Sequence, residues 1–431
     1  MVIFVIARHC AIASRTRDEK DMTREEKDMT RGPVPRRAAS LAVAASLACI
    51  GVAAGTSIAK SSKTASPTVG PKGLAFYAPK GKLPKGSHGT LIWERRFSGG
   101  PALAGAKNYR VLYKQVGIHG TAVVVSGMVS IPNGQAPKAG WPVITWAHGT
   151  TGIADQCAPS RMAVYSSDGP DAMPLLTSWV KSGYAVLRTD YEGLGTPGPH
   201  PYLIGVSEGR GVLDIVRAAR HLDPQLSDRV IISGHSQGGH AALWAASLAK
   251  SYTPEISLRG VIAFAPASHI ATEAGFLKSV SATSLTGLAA TIFRGLDIGY
   301  PSLHIASLLT PAAAALYPQT LTKCLNQLDA ANSFGGLPLN QLVQQTANLA
   351  PAIADLQNND PGKLKIGAPV VLAQGLADTT VLPAFTQQLS VSLAGVGDKV
   401  TLDTYKKATH ATVLAAAKNA AATFLKRRLR R

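Results

Sequence analysis

The sequence predicts an α/β fold in which a mostly parallel central sheet carries helices on both faces. Two observations predict it. From about Tyr109 onward, short apolar runs rich in β-branched residues alternate with stretches of helical apolar spacing. Such alternation closes a parallel sheet whose two faces must both be covered. The composition, 46% hydrophobic against 16% charged, is the reverse of a disordered chain and suits a packed core. The length of 431 residues allows one large α/β domain or two or three smaller ones. Gly and Pro show no period, which excludes collagen-like and fibrous repeats, and four Cys are too few for a disulfide scaffold.

The elements follow in order. Residues 109–116 (YRVLYKQV) and 122–131 (AVVVSGMVSI) read as strands of a hairpin or meander, and 142–148 as a short buried strand. Residues 171–183 have helical spacing and end in Gly. A strand over 184–190 precedes a helix over 206–222. The strand at 229–236 enters a turn and a helix over 237–250. Strands are expected at 259–266, 368–375 and 399–405, and a final helix at 412–429. The core is thus read over 91–266 and 368–431. Residues 267–367, rich in Ala, Leu, Ser and Thr with no obvious strand, are read as a helical cap inserted over the sheet's C-terminal edge. A thick crossover packed beside the sheet is the plainer alternative.

Residues 1–59 are expected to be a leader. Residues 19–32 hold a polar near-duplicate, EKDMTRE then EKDMTRG. Arg31, Arg36 and Arg37 form a basic region before an apolar run over 38–55, and Ser57-Ile58-Ala59 reads as a small-residue cleavage site. This is the pattern of a secretory signal peptide, with a retained anchor as the alternative and Met29 as a second candidate start. Residues 60–90, rich in Lys, Gly, Ser and Pro, read as an irregular arm. Removing 1–59 takes away nine Lys/Arg and six Asp/Glu, so the net charge of +19 becomes +16. Two Cys remain, Cys157 and Cys324; in an exported chain these suggest one disulfide, or else two free thiols.

The pentapeptide G-x-S-x-G occurs twice, around Ser207 and around Ser236. A nucleophile elbow needs a buried strand before the Ser, a helix after it, and small residues two positions either side. Ser236 has all three, whereas Ser207 follows His-Pro-Tyr-Leu-Ile-Gly and reads as a helix N-cap. A Ser hydroxyl needs a positioned base, and on an elbow fold the order is Ser, acid, His. Asp378 lies just after the strand VVLAQG; Asp360, before that strand, and Asp403, inside the next, are its rivals. His410 lies before the last helix, and no other His follows Asp378. An oxyanion hole needs two backbone N–H groups: Gln237 supplies one, and the loop His148-Gly149-Thr150-Thr151 the other, with Thr150 first and Thr151 as runner-up. The loop 190–198 lacks a helix that would receive a phosphate. No metal spacing is seen among the histidines; His235 and His240, flanking the elbow, are read as packing residues. No metal or organic cofactor is expected. The basic residues are scattered except at 426–431, and no nucleic-acid motif accompanies them. Contact with anionic lipid or the cell envelope fits better, with an unpartnered basic surface as the alternative.

The segments AHGTTGIADQCAPS (147–160), TDYEGLGTPGPHPYLIG (189–205), GHSQGGHAALWA (234–245) and GLADTTVLP (375–383) together resemble the secretory lipase family, a yeast-type lipase A-like group with an actinobacterial branch. The resemblance covers roughly residues 70–428. It implies an α/β-hydrolase fold, a helical cap with a lipid-binding pocket, hydrolysis of carboxylic esters including acylglycerols, and a triad of Ser236, Asp378 and His410. It also implies a Cys157–Cys324 disulfide from the loop after the oxyanion strand to the cap. One departure concerns the oxyanion loop: where the lipase A type carries an Asp side chain, this sequence has Gly149-Thr150-Thr151. The expected protein is a secreted, monomeric enzyme. Rival readings are a short-chain or aryl carboxylesterase, an acyltransferase using the same acyl-enzyme, and an inactive hydrolase fold that binds lipid or cell wall.

Overall fold

The computed structural model describes residues 67–429 except 82, 84 and 165–167. The expected leader over 1–59 and the start of the arm lie outside these residues. The sheet begins with an antiparallel meander of β1 (Leu91–Arg96), β2 (Ala106–Val116) and β3 (Ala122–Pro132). Then come β4 (Trp141–Ala147), α1 (Ala172–Lys181), β5 (Ala185–Thr189), α2 (Gly205–Leu222), β6 (Leu226–His235), α3 (Gln237–Tyr252) and β7 (Ser257–Phe264). The chain next runs through α4 (Ile270–Gly275), α5 (Thr286–Gly299), α6 (Pro311–Leu316), α7 (Leu325–Leu328) and α8 (Ala350–Asn358), joined by 3₁₀ turns. It closes with β8 (Val370–Gly375), α9 (Pro383–Gly395), β9 (Val400–Tyr405) and α10 (Val413–Leu429). The nine strands lie in the order β1-β2-β3-β5-β4-β6-β7-β8-β9, and every pairing from β5 to β9 is parallel.

Strand periodicity divides the core between the two faces. Val143, Val230, Ile232 and Val261 point to the face covered by α2 and α3, where Val212, Leu213, Ala241 and Ala245 meet them. Ile144, Trp146, Ile231 and Ile262 point to the other face, against Leu175 and Trp179 of α1 and Leu414 and Phe424 of α10. All seven residues of β4 are buried, as a strand covered on both sides requires. The helical segment between β7 and β8 has its own apolar cluster, including Phe293, Leu296, Tyr317, Leu328 and Phe334. Among the described residues no helix is long and apolar enough to cross a membrane.

Three features differ from the sequence reading. β1 is a strand that its sequence conceals, because Glu94, Arg95 and Arg96 interrupt the apolar pattern; it is an edge strand with one wet side. From residue 67 the arm is tied down: Phe76 and Tyr77 are buried against Ile92, Leu112 and Val124. The helix α9 has only a weak apolar stripe, so its sequence does not announce it.

A disulfide joins Cys157 to Cys324, 167 residues apart, with the Cα atoms 5.5 Å from each other. The same junction holds a backbone bond from Leu325 N–H to the Thr151 carbonyl (2.9 Å) and a side-chain bond from Gln156 Nε2 to the Thr322 carbonyl (2.7 Å). The loop after β4 is thereby fastened to the helical segment. Closing so long a loop restricts the unfolded chain, so a Cys157→Ser/Cys324→Ser double variant should lose roughly 2–5 kcal/mol in denaturant unfolding. Unchanged stability would mean that the hydrogen bonds alone hold the junction.

Candidate active site

Ser236 sits between β6 and α3 with φ 57° and ψ −119°, a conformation that costs a non-glycine residue about 1–3 kcal/mol and persists only where its surroundings enforce it. The flanking glycines explain the enforcement. A Cβ on Gly238 would lie 1.9 Å from the Ala147 carbonyl oxygen, and one on Gly234 would lie 2.1 Å from the Gly238 carbonyl oxygen. Ser236 N–H donates to the Phe264 carbonyl (2.9 Å), and its own carbonyl accepts from Ala267 N–H (3.0 Å). The turn is therefore clamped between the ends of β4 and β7. Ser207 behaves differently. It lies in the first turn of α2, fully buried, and its hydroxyl donates to the Glu192 carboxylate. It is not the N-cap that the sequence suggested; Ile204 holds that place without a side-chain cap.

Asp378 follows β8, and His410 lies in the turn before α10. His410 Nδ1 is 2.8 Å from Asp378 Oδ2. Asp378 Oδ1 accepts from the N–H groups of Thr380 (2.8 Å) and Val381 (2.9 Å). Burial alone would raise the Asp378 carboxyl, but the bond from His410, the charge of His410 and these N–H groups together hold it below the ordinary carboxylate value. Burial likewise dominates at His410 and lowers it below the ordinary imidazole value, only partly offset by Asp378. The rivals are occupied elsewhere. Asp360 caps a 3₁₀ turn through Gly362 N–H (2.8 Å) and accepts from His269 N–H; Asp403 sits within β9.

Ser236 and His410 line one cavity of about 330 Å³, together with Thr150, Thr380, and Leu285, Leu288, Leu325 and Asp329 of the helical segment. A second, tighter space of about 40 Å³ also opens on Ser236 and Thr150, walled by Leu203, Ile270, Leu288, Ile292, Val381 and Phe385. Gln237 is the first residue of α3, so its N–H is one of the donors that a helix start leaves unpaired within the helix. Thr150 borders both spaces, while Thr151 borders neither.

Several residues around the site carry no signal in the sequence. His235 does more than pack: its Nε2 is 2.9 Å from the His410 carbonyl and donates to it, and its Nδ1 is 3.1 Å from Asp168 Oδ1. Gly149 N–H donates to the same Asp168 oxygen, so Asp168 and His235 together link the loop after β4 to the loop of His410. Burial would raise the Asp168 carboxyl, but His235 and Gly149 hold it low. Gln374 donates to Asp378 Oδ2 (3.2 Å) and to the Val381 carbonyl (3.1 Å), steadying the acid. Beneath the elbow, the buried Glu208 accepts from Gln237 Nε2 (2.7 Å) and Leu203 N–H (2.9 Å), and lies 3.2 Å from His240 Nδ1. Burial pushes His200 down to about 4, leaving it neutral. Its Nδ1–H donates to the Glu192 carbonyl (2.9 Å), so its Nε2 accepts from Gln237 (3.1 Å). In the loop 190–198, the Tyr191 hydroxyl donates to the His148 carbonyl (2.8 Å), bracing the loop of Thr150.

A Ser clamped at a strand–helix elbow, sharing a cavity with a His that is bonded from behind by an Asp beyond the end of a parallel strand, places the protein in the α/β-hydrolase class of folds. The secretory lipase family profile matches residues 170–431, and the chain belongs to that family. Its relatives include a lipase A of Moesziomyces aphidis, 26% identical over 241 residues (53% of this chain, 50% of that protein). They also include a probable inactive lipase of Mycobacterium tuberculosis, 26% identical over 207 residues (45% and 44%). The chain thus spans about half the length of the curated relatives it matches. Among solved structures, Candida antarctica lipase A has the same fold, with a TM-score of 0.65 and 22% identity over 75% of this chain and 78% of that one.

Glu273 on α4 borders the tighter space, and burial pushes its carboxyl up to about 7. Well below pH 4.5, its ordinary value, the group is neutral in both folded and unfolded chains. As pH rises toward 7 the unfolded chain releases its proton first, so folding loses stability across that window. Glu273→Gln should melt a few degrees higher than the wild type at about pH 8, and at nearly the same temperature at about pH 4. Equal melting at both values would mean that the carboxyl is solvated in the folded protein.

Proposed function

We propose that the chain is a secreted serine hydrolase that cleaves carboxylic esters of acylglycerols through an acyl-enzyme. The observation that carries this reading is His410, bonded to Asp378 at 2.8 Å and sharing a cavity with the strained Ser236. Ser236 Oγ attacks the ester carbonyl while His410 takes its proton on Nε2, the nitrogen that the Asp378 bond leaves free. Asp378 fixes the imidazole and stabilises the imidazolium. The N–H groups of Gln237 and Thr150 receive the developing oxyanion; Thr150 is preferred to Thr151 because it borders the spaces around Ser236. His410 then protonates the leaving alcohol and activates the water that frees the acid.

The helical segment between β7 and β8 acts as the cap of this site, since Leu285, Leu288 and Leu325 give the cavity an apolar wall suited to acyl chains. The Cys157–Cys324 disulfide suits an oxidising, extracellular setting. We further propose that the protein works as a monomer in peripheral contact with a lipid interface or the anionic cell envelope. The terminal basic residues have a local explanation as well, because Lys426, Arg427 and Arg428 sit in the last turn of α10, where the helix dipole favours cations.

One observation favours a second reading, a short-chain carboxylesterase: the space beside Ser236 walled by Ile292 and Phe385 holds only about 40 Å³. A panel of p-nitrophenyl esters from acetate to palmitate, with tributyrin and triolein emulsions, separates the two. A lipase keeps its rate on long chains and triolein, and an esterase loses it beyond short chains. Ser236→Ala should abolish turnover of every ester, and Asp378→Asn should lower kcat by about 10²–10⁴-fold. Because burial lowers His410, kcat/KM should rise with pH through a single ionisation whose midpoint lies below the ordinary value of 6.5. Full activity in Ser236→Ala, or an acid limb centred above that value, would contradict the proposed roles.

A further inference from the structure

A cavity of about 350 Å³, sharing no lining residue with the spaces around Ser236, carries three arginines: Arg95, Arg110 and Arg161. Arg95 and Arg110 are direct cross-strand partners on β1 and β2. Like charges directly opposite one another destabilise an antiparallel pair, because their Cβ atoms stand only about 5 Å apart. Such a pair, lining one cavity with a third guanidinium, is a charge excess that an anion relieves.

The three heads are held in place, and among the described residues only one of them has a carboxylate within ion-pair distance. Arg110 Nε donates to the Ser160 carbonyl (2.8 Å), and its guanidinium stacks on Phe97, 4.5 Å from the ring centre. Neither Nη of Arg110 has an acceptor among the described residues. Arg95 donates to the Gly70 and Pro71 carbonyls, which position the head but carry no charge. Arg161 lies over the Tyr77 ring, 5.4 Å from its centre, and is paired with Asp155 at 3.6 Å. Among the described residues that carboxylate is the only one within ion-pair distance of the three heads, and its side chain is 59% exposed. Asp190, buried behind Ser160, turns its carboxyl instead to the Ser126 and Ser160 hydroxyls, and burial raises it. Pairing of Asp155 with Arg161 leaves the charges of Arg95 and Arg110 facing the cavity.

We infer that this cavity is a binding site for a phosphate-type oxyanion, either inorganic phosphate or the phosphomonoester of a lipid headgroup. A phosphate dianion suits two guanidinium heads that have no carboxylate within ion-pair distance among the described residues, and the planar fork of Arg110 presents N–H groups of the geometry that phosphate oxygens accept. The site requires neither Ser236 nor His410, so it stands apart from the proposed hydrolysis.

The test is isothermal titration of the full-length protein with inorganic phosphate at constant ionic strength, beside co-sedimentation with phosphatidylcholine vesicles with and without phosphatidic acid. Arg110→Gln and Arg161→Gln serve as variants, with circular dichroism to confirm that each is folded; Arg161→Gln leaves the Arg110–Ser160 bond intact. Saturable phosphate binding, weakened about tenfold or more in both folded variants as loss of charge-assisted hydrogen bonds predicts, assigns a phosphate site. Binding confined to phosphatidic acid vesicles, and lost in the variants, assigns a lipid headgroup. No binding of either probe, or equal binding by wild type and variants, overturns the inference.

Discussion

The structure around Ser236 depends on one steric constraint: backbone from the ends of β4, β6 and β7 meets within a space that admits no Cβ. Gly238 lies against the Ala147 carbonyl and Gly239 against Pro266, so the chain leaves β6 through the strained turn that Ser236 occupies. The strain persists because two sheet-end hydrogen bonds and the packed cores on both faces of the sheet oppose its release. Placing the Ser there sets it at the C-terminal edge of the parallel strands, at the start of α3, where an unpaired N–H and the positive helix end face the same point.

Other fixed contacts bring the remaining groups to that point. Gly375 lets the end of β8 approach the loop before α10, since a Cβ there would lie 2.3 Å from the Ala408 carbonyl oxygen. Just beyond it, Leu376 N–H donates to the Tyr405 carbonyl and Ala377 N–H to the Ala408 carbonyl, each at 3.0 Å. Asp378 and His410 are thus brought together by main chain as well as by their own bond. Asp168 and His235 then tie the loops of Gly149 and His410 to the elbow. The result is a site whose polar groups are held from behind, leaving Ser236 and His410 at the border of the cavity.

The parts legible in the sequence are those written locally or in chain order. The elbow at Ser236 is a contiguous signal of strand, small residues and helix. Asp378 and His410 are legible because each lies just beyond a strand in the order that the fold imposes. The supporting residues are not legible. Asp168 and His235 are 67 residues apart, and Glu208 meets Gln237 across 29; nothing at either end marks the partner. The strand β1 is hidden by the charges of its wet side, and the buried Phe76 and Tyr77 by their Lys- and Gly-rich surroundings. The Arg95–Arg110 pair becomes visible only with the strand register.

The central claim is that the elbow Ser, activated by the Asp378-bound His410, is the nucleophile. The most direct measurement is reaction of the intact protein with a fluorophosphonate, followed by peptide mass spectrometry to locate the adduct. One equivalent of label on Ser236, formed quickly in the wild type and far more slowly in His410→Ala, is the predicted result. No adduct on the folded protein, or an adduct on Ser207 instead, would contradict the account.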